Sequence, residues 1–222
     1  MKTIQSFLFY LMGIITLFSV ILASCKKETE SDPKIIMVTE SISSSFFARG
    51  SGSMSIDWGD KTKIETHTLS TDYIVSYSHS YKEFSEHIVT ITGKNITYFG
   101  ISNYSGVTSL DLSSNEMLTY LECNLTSDLT SLDVSKNWLL KKLIFHGTQI
   151  TSLDLSNNTV LEFLDCRSNN LSTEALNALF ETLHDYSYPI FIYPKEILID
   201  DNPGTDDCDR SIATNKGWEF IE

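Results

Sequence analysis

The sequence predicts a mainly β protein: an antiparallel β-sandwich over residues 34–94, a short solenoid of stacked rungs over 95–171, and an α/β cap over 172–222. Three observations predict it. Apolar and polar residues alternate in runs of seven to nine between residues 34 and 93, as in half-buried strands. A nine-residue template then recurs at steps of ten or eleven, and a stretch with helical spacing follows before one last copy. With 222 residues and 41% apolar content the chain can bury a substantial core.

The chain opens with "MKTIQSFLFYLMGIITLFSVILASC", a basic Lys2, an apolar run from Phe7 to Ala23 and small residues before Cys25, the layout of a secretory signal peptide over 1–24. An uncleaved membrane helix is the alternative, although the run is at the short end of the roughly 20 residues that span a bilayer. Leu22-Ala23-Ser24-Cys25 resembles the lipobox of bacterial lipoproteins, which implies cleavage before Cys25 and a lipid on its thiol. Residues 25–33 hold "KKETESDP", polar and without a residue to bury, so they read as a flexible tether. The same stretch resembles the acidic export signal of surface-exposed lipoproteins of the Bacteroidetes. That implies an outer-membrane lipoprotein facing outward; a plain linker would leave it facing the periplasm. Loss of residues 1–24 removes Lys2 and no acid, leaving 15 bases against 29 acids. Such a charge argues against nucleic acid as a partner.

From residue 34 the expected strands are "KIIMVTESI", "SMSIDWGD", "YIVSYSHSY" and "HIVTITG", separated by turn-rich stretches. The segments "IDWGD" (56–60) and "HSYKEFSEHIVTITG" (79–93) resemble a PKD domain, an immunoglobulin-like module of extracellular bacterial proteins. The resemblance implies that Trp58 and Tyr81 are core aromatics and that Asp57 and Asp60 serve strand ends and a turn. Lys61, and Ser85 with Glu86, stand where glycines are usual in that module.

The template Leu-x-x-Leu-x-Leu-x-x-Asn, with other apolar residues admitted, begins at Ile96, Val107, Leu118, Leu129, Leu140, Ile150 and Leu161. Two such halves make a repeat of about 21 or 22 residues. Each half is expected to supply one short strand and a turn, too little to bury its own apolar edge, so the halves must stack. Leu110, Leu112, Leu121, Leu132, Val134, Leu143, Leu153, Leu155 and Leu164 then point inward. Asn115, Asn137, Asn158 and Asn169 take the last template position, where an amide can satisfy turn backbone. Cys123 and Cys166 share the slot of Phe145, which lies between them, so they read as core thiols rather than a disulfide pair. Residues 96–171 resemble the nested leucine-rich repeats of Bacteroidetes surface lipoproteins, which alternate an "LTSLDVS" half with an "LxxLxC" half. Thr126 and Thr148 depart from it by replacing Asn, and Phe145 by replacing Cys.

An open solenoid end needs a cap. "STEALNALFETLH" places Ala175, Leu176, Leu179, Phe180 and Leu183 on one helix face, with Ser172 or Thr173 as N-cap. "PKEILIDDN" (194–202) fits the template once more, and the closing segment ends in a strand with Trp218 and Phe220.

No catalytic residue, metal site or cofactor is expected. The five histidines show no H-x-x-x-H pair, there is no G-x-S-x-G elbow, and the three cysteines after Cys25 include no C-x-x-C. Asp111, Asp133 and Asp154 recur in the same "SLD" context, which reads as structure: bonded to neighbouring rungs or solvated. The acid-rich "DDNPGTDDCD" (200–209) offers calcium-type oxygens without the spacing of an EF-hand, and turn chemistry at Asn202-Pro203-Gly204 accounts for it better.

The informative contrast lies between half-repeats. Outward positions of the "TSLD" halves are nearly constant. Those of the other halves differ at every rung: Tyr120, Lys142 and Phe163; Glu122, Ile144 and Asp165; Asn124, His146 and Arg167. Strand alternation puts these nine on one face, with aromatics, both charge signs and an exposed Ile144 and Phe163, the make-up of a recognition surface. Relaxed drift on a solvated face is the alternative. The expected protein is a lipid-anchored envelope binding or adhesion module, held at Cys25, whose repeat face recognises a surface protein or glycan. A structural lipoprotein without a dedicated ligand, or an accessory to surface glycan processing, are the rival readings.

Overall fold

β-Branched and aromatic residues at alternate positions draw the first segment into strands β1 (Lys34–Ser51), β2 (Ser53–Asp57), β3 (Glu65–Thr68) and β4 (Val75–Thr92). A computed structural model describes residues 32–102, 106–186 and 195–222 of the chain. The leader, Cys25 and the tether as far as Ser31 lie outside the described residues.

Strand β1 is twice as long as expected and is bent. Its buried positions are Ile35, Met37 and Thr39, then Ser44, Phe46 and Ala48, a change from odd to even numbers. Side chains alternate with period two, so the change requires an irregularity. One occurs where Ser41 faces Ser85 while Ser43 faces Ser80 on β4. Both halves of β1 thereby turn their buried residues toward one core.

The next strands are β5 (Asn95–Ser102) and β6 (Val107–Asp111), followed by β7 (Tyr120–Asn124), β8 (Lys142–Ile144) and β9 (Phe163–Asp165). The second half of β1 pairs antiparallel with β5, from Phe47 opposite Gly100 to Ser51 opposite Asn95. Its first half pairs antiparallel with β6, from Ile36 opposite Asp111 to Thr39 opposite Val107. A single bent strand thus closes the N-terminal end of the solenoid on both sides of its first coil. From β5 onward the pairing is parallel through β7, β8, β9 and β10 (Lys195–Leu198) to β11 (Trp218–Phe220). The result is one open sheet of eleven strands and one continuous core, from Ile35 to Trp218. Residues 32–222 form one compact unit.

All nine leucine and valine positions expected to point inward are buried. The half-repeats are not equivalent, however. The "LxxLxC" halves form strands, whereas residues 129–134 and 150–155 of the "TSLD" halves do not. The expectation of a strand in every half is corrected by the pairing: Val107–Asp111 forms a strand against β1, whereas 129–134 and 150–155 pair with no strand. Asp111, Asp133 and Asp154 accept hydrogen bonds from the N–H groups of Ser113, Ser135 and Ser156 at 2.9, 2.8 and 2.8 Å. These local turns close each half, including Val107–Asp111, which is a strand. They bond within their own rung rather than across to neighbours. Rung-to-rung bonding there includes Gln149 N–H to Leu129 O at 3.0 Å and Asn170 N–H to Ile150 O at 3.1 Å.

Two polar ladders run through the core beside the leucines. Asn137 Nδ2 donates to Leu112 O and Asn115 O at 3.2 and 2.9 Å, and Asn158 Nδ2 to Val134 O and Asn137 O at 3.0 and 2.9 Å. On the other side, Asn169 Nδ2 bonds Phe145 O at 2.8 Å and Asn202 Nδ2 bonds Cys166 O at 2.9 Å. Thr148 reaches only Phe145 O in its own rung and the Asn169 side chain, and Thr126 only Asn124 O. The substituted threonines therefore leave out the amide step back to the preceding rung. Cys123, Phe145 and Cys166 are fully buried in one column, and both thiols are free. Burial pushes both thiols well above their ordinary pKa, so they remain protonated.

The C-terminal cap contains helix α1 (Thr173–Thr182), with Ser172 as N-cap accepting from Ala175 N–H and Leu176, Leu179 and Phe180 buried. β10 and Asn202 complete the last rung. A short helix α2 (Ser211–Thr214) leads into β11, and Trp218 is buried.

At the N-terminal end, Trp58 and Tyr81 are buried, and the Tyr81 hydroxyl donates to Trp58 O at 3.1 Å. Asp60 accepts from the Thr62 side chain and backbone and pairs with His79, which stacks on Trp58. These hydrogen bonds, the Thr62 hydroxyl foremost, hold the Asp60 carboxyl far below the usual carboxylate range. A depressed folded value stabilises the fold above the unfolded carboxylate pKa of about 4, and that contribution is lost as pH falls below it. Asp60→Asn is therefore expected to flatten the fall in urea midpoint between neutral pH and pH ~3, as read by tryptophan fluorescence. An unchanged slope would remove Asp60 from the acid response.

Candidate functional site: the face of the parallel strands

The nine residues that differ between rungs lie side by side. Parallel register aligns Tyr120 with Lys142 and Phe163, and Glu122 with Ile144 and Asp165, strands about 4.8 Å apart. Of the third set, Asn124 ends β7, whereas His146 and Arg167 lie two residues past β8 and β9, with the His146 ring bonding Asn124 Oδ1 at 2.9 Å.

These rows continue beyond the residues that sequence comparison singles out. Tyr98 pairs with Tyr120 on one side and with Arg49 on the other. Phe47 aligns with Gly100, and Gly100 with Glu122. One row is thus Arg49, Tyr98, Tyr120, Lys142, Phe163 and Glu196, crossing from the antiparallel strands onto the rungs. Tyr98 was within reach of the sequence, because the template copy at Ile96 puts it in the slot of Tyr120. Phe47 and Arg49 were not, because no repeat predicts what an antiparallel strand brings to the edge.

The side chains are linked across strands. The Lys142 ammonium lies 6.0 Å from the Tyr120 ring centre and 5.7 Å from that of Phe163, and the Arg49 guanidinium 5.9 Å from that of Tyr98. The Tyr98 hydroxyl donates to Glu122 Oε2 at 2.8 Å, and the Asn124 amide donates to the other Glu122 oxygen. Burial, then the Glu122 carboxylate, raises the Tyr98 hydroxyl far above its ordinary pKa, so it stays a donor. Arg167 grips Asp165 through two hydrogen bonds at 3.0 and 2.8 Å, and its own pKa rises for that reason. Asp165 is consequently buried, and Ile144 and Phe163 are half-buried rather than fully exposed, since neighbouring rungs shelter their flanks.

Beside Glu122 the face dips into a cleft of about 370 Å³ lined by Phe47, Ile74, Tyr98, Gly100, Ile101 and Glu122. Its walls are apolar and its rim carries one organised carboxylate. A row of aromatic and cationic groups next to such a cleft can take up planar or apolar groups and order hydrogen bonds around them.

Among the described residues, no group of three or more histidine, cysteine or acidic side chains is placed to hold a metal ion. Fold and face together define a mainly β repeat protein with one open sheet and a continuous, side-chain-linked strand face. No family model and no curated protein matches the chain. Among solved structures it is similar to the functional domain of InlJ from Listeria monocytogenes, described as including a cysteine ladder, with 32% identity and a TM-score of 0.40. That likeness covers 54% of this chain and 23% of the other, so this chain spans less than a quarter of that protein's length.

Proposed function

We propose that the protein is a lipid-anchored envelope binding module, an adhesion-type leucine-rich repeat lipoprotein whose strand face recognises a protein or glycan partner. One observation carries the reading. Residues repeated in every rung are consumed by turns and ladders, whereas the residues that vary are gathered, in register and mutually bonded, on a single face. Repeat solenoids commonly use such extended faces for binding. A binding role rather than an enzymatic one is supported by the recurrent aspartates, whose oxygens accept local turn hydrogen bonds. The buried Trp58 and Tyr81 support a PKD-like reading of the N-terminal strands. The "LASC" and "KKETESDP" segments support lipid on Cys25 and export to the outer face of a Bacteroidetes-type outer membrane.

The test is a screen of the mature protein against glycans and surface proteins, repeated with Tyr120, Lys142 and Phe163 all replaced by alanine. Loss of affinity of at least about tenfold is expected, because truncated aromatic and cationic anchors each cost more than 1 kcal/mol at many interfaces. If the triple variant keeps its fold and binds every detected partner as before, the site lies elsewhere. Protease treatment of intact cells tests the address, and a fully protected chain overturns surface exposure.

A further inference from the structure

We propose that the turn edge carrying Met117, Trp138, Leu139 and Val160 rests on the surface of the bilayer that anchors the chain. The docking rests on the lipid anchor at Cys25 argued above and adds an orientation to it.

Met117, Leu139 and Val160 each stand two residues after a ladder asparagine, Asn115, Asn137 and Asn158. Stacking of rungs therefore lines them up along one edge, yet they remain 45%, 44% and 37% exposed. Trp138 beside them is 46% exposed. Its indole N–H already donates to Ser135 O at 3.1 Å, so the ring can leave water without stranding a donor. Within 113–117, 135–139 and 156–160 only Glu116 and Lys136 are charged, and they cancel, while the exposed Asp111, Asp133 and Asp154 stand at the opposite end of each turn with an oxygen bonded to its first N–H. A row of exposed apolar side chains with an amphipathic tryptophan, bordered by acids, matches the interfacial layer of a bilayer. The surrounding acidity disfavours an anionic surface, which commits the occupant to a neutral lipid headgroup layer.

The entry point of the chain favours this edge. Ile36 lies opposite Asp111, so β1 begins beside the turn that carries Met117. Pro33 O accepts from Gly93 N–H at 3.1 Å, and Asp32 pairs with Lys94 at 3.2 Å, which fixes where the chain arrives. Seven residues, 25 to 31, precede that point and reach at most about 25 Å. An anchor at Cys25 therefore holds the Met117 end of the edge near the membrane, and the stripe runs on from there rung by rung.

The sequence contains three tryptophans, and Trp58 and Trp218 are each 1% exposed, so Trp138 alone answers to its surroundings. The experiment reconstitutes the lipidated full-length protein in phosphatidylcholine vesicles with brominated acyl chains and records tryptophan emission, with aqueous iodide as the opposing quencher. Quenching by the brominated chains, loss of iodide access and disappearance of both effects in Trp138→Phe are expected. Met117→Ser with Leu139→Asp should restore iodide access while the emission of Trp58 and Trp218 shows the fold intact. Emission untouched by brominated lipid and open to iodide overturns the docking. Shielding from iodide without lipid quenching also overturns it, in favour of a second copy or another protein on this edge. Mass analysis of the Cys25 peptide separates the two readings: an unlipidated Cys25 overturns the anchor and the docking together, a lipidated one with unquenched Trp138 the docking alone.

Discussion

Asn137→Ala is expected to lower the unfolding free energy by about 1–3 kcal/mol, because it removes two buried amide hydrogen bonds worth roughly 0.5–1.5 kcal/mol each, while Leu112 O and Asn115 O keep their backbone partners, Asn115 N–H at 2.9 Å and Leu118 N–H at 3.2 Å. The amide of Asn137 reaches both Leu112 O and Asn115 O in the preceding rung. Asn115 and Asn137 are themselves buried. The ladder also makes a graded prediction. Asn115 stands at its start, and its Nδ2 has no hydrogen-bond partner. Asn115→Ala should therefore cost clearly less than Asn137→Ala in the same urea titration. Equal costs would mean that side-chain volume rather than the amide step holds the rungs together. Asn137→Asp separates the two further: it keeps the volume, removes the donor and places a carboxylate in the core, so it should be at least as damaging as alanine.

Gly50→Ala is expected to cost about 3 kcal/mol or more, at or beyond the usual range for overpacking. A Cβ there would lie 2.0 Å from Asn95 O and 3.1 Å from Ile96 Cα, both backbone atoms that cannot rotate away. Relief requires β1 and β5 to separate at the point where the antiparallel strands meet the first rung. Gly52→Ala is the control: its Cβ meets nothing within 4 Å, and only the positive φ of 80° opposes it. That strain is worth about 1–2 kcal/mol. Hydrogen exchange should show loss of protection in β5 for the Gly50 variant and not for the Gly52 variant. Unchanged protection of β5 in Gly50→Ala would show that the junction yields at little cost.

The rungs were legible in the sequence because their physics is periodic. Each leucine that must face the core recurs at the same step, so Leu121, Leu143 and Leu164 announce one another, and the varied residues stand out against them. The amides at Asn137, Asn158 and Asn169 were legible for the same reason. What escaped was aperiodic. Residues 43–51 of β1 contain the serines of "SSSFFARGS", which read as a turn, and the irregularity near Ser41 breaks the alternation that would have joined the two halves. Strand β3, with Glu65 and His67, has no apolar alternation to betray it. The "TSLD" halves carry strand-like alternation, but only Val107–Asp111 meets a strand partner, β1, and 129–134 and 150–155 do not. Of the face, the six aromatic, charged and apolar residues on β7, β8 and β9 that pair in register were visible. Arg49 and Phe47 became neighbours of Tyr98 and Gly100 only through a pairing between segments some 50 residues apart.

The main path of the eleven-stranded sheet ends in β3 and β11, four and three residues long, while β6 branches off beside β1 and β4 meets β2 only over Thr90–Thr92. A sheet of this width would normally offer long rows of unpaired N–H and C=O groups along which identical molecules could zip together. At the two ends those rows shrink to a few groups, to which Glu65 and Glu219 add charge, and the longer open side of β4 carries the exposed Lys82, Glu83 and Glu86. Short ends and a charged long side thus make each edge a poor template for strand addition by an identical molecule.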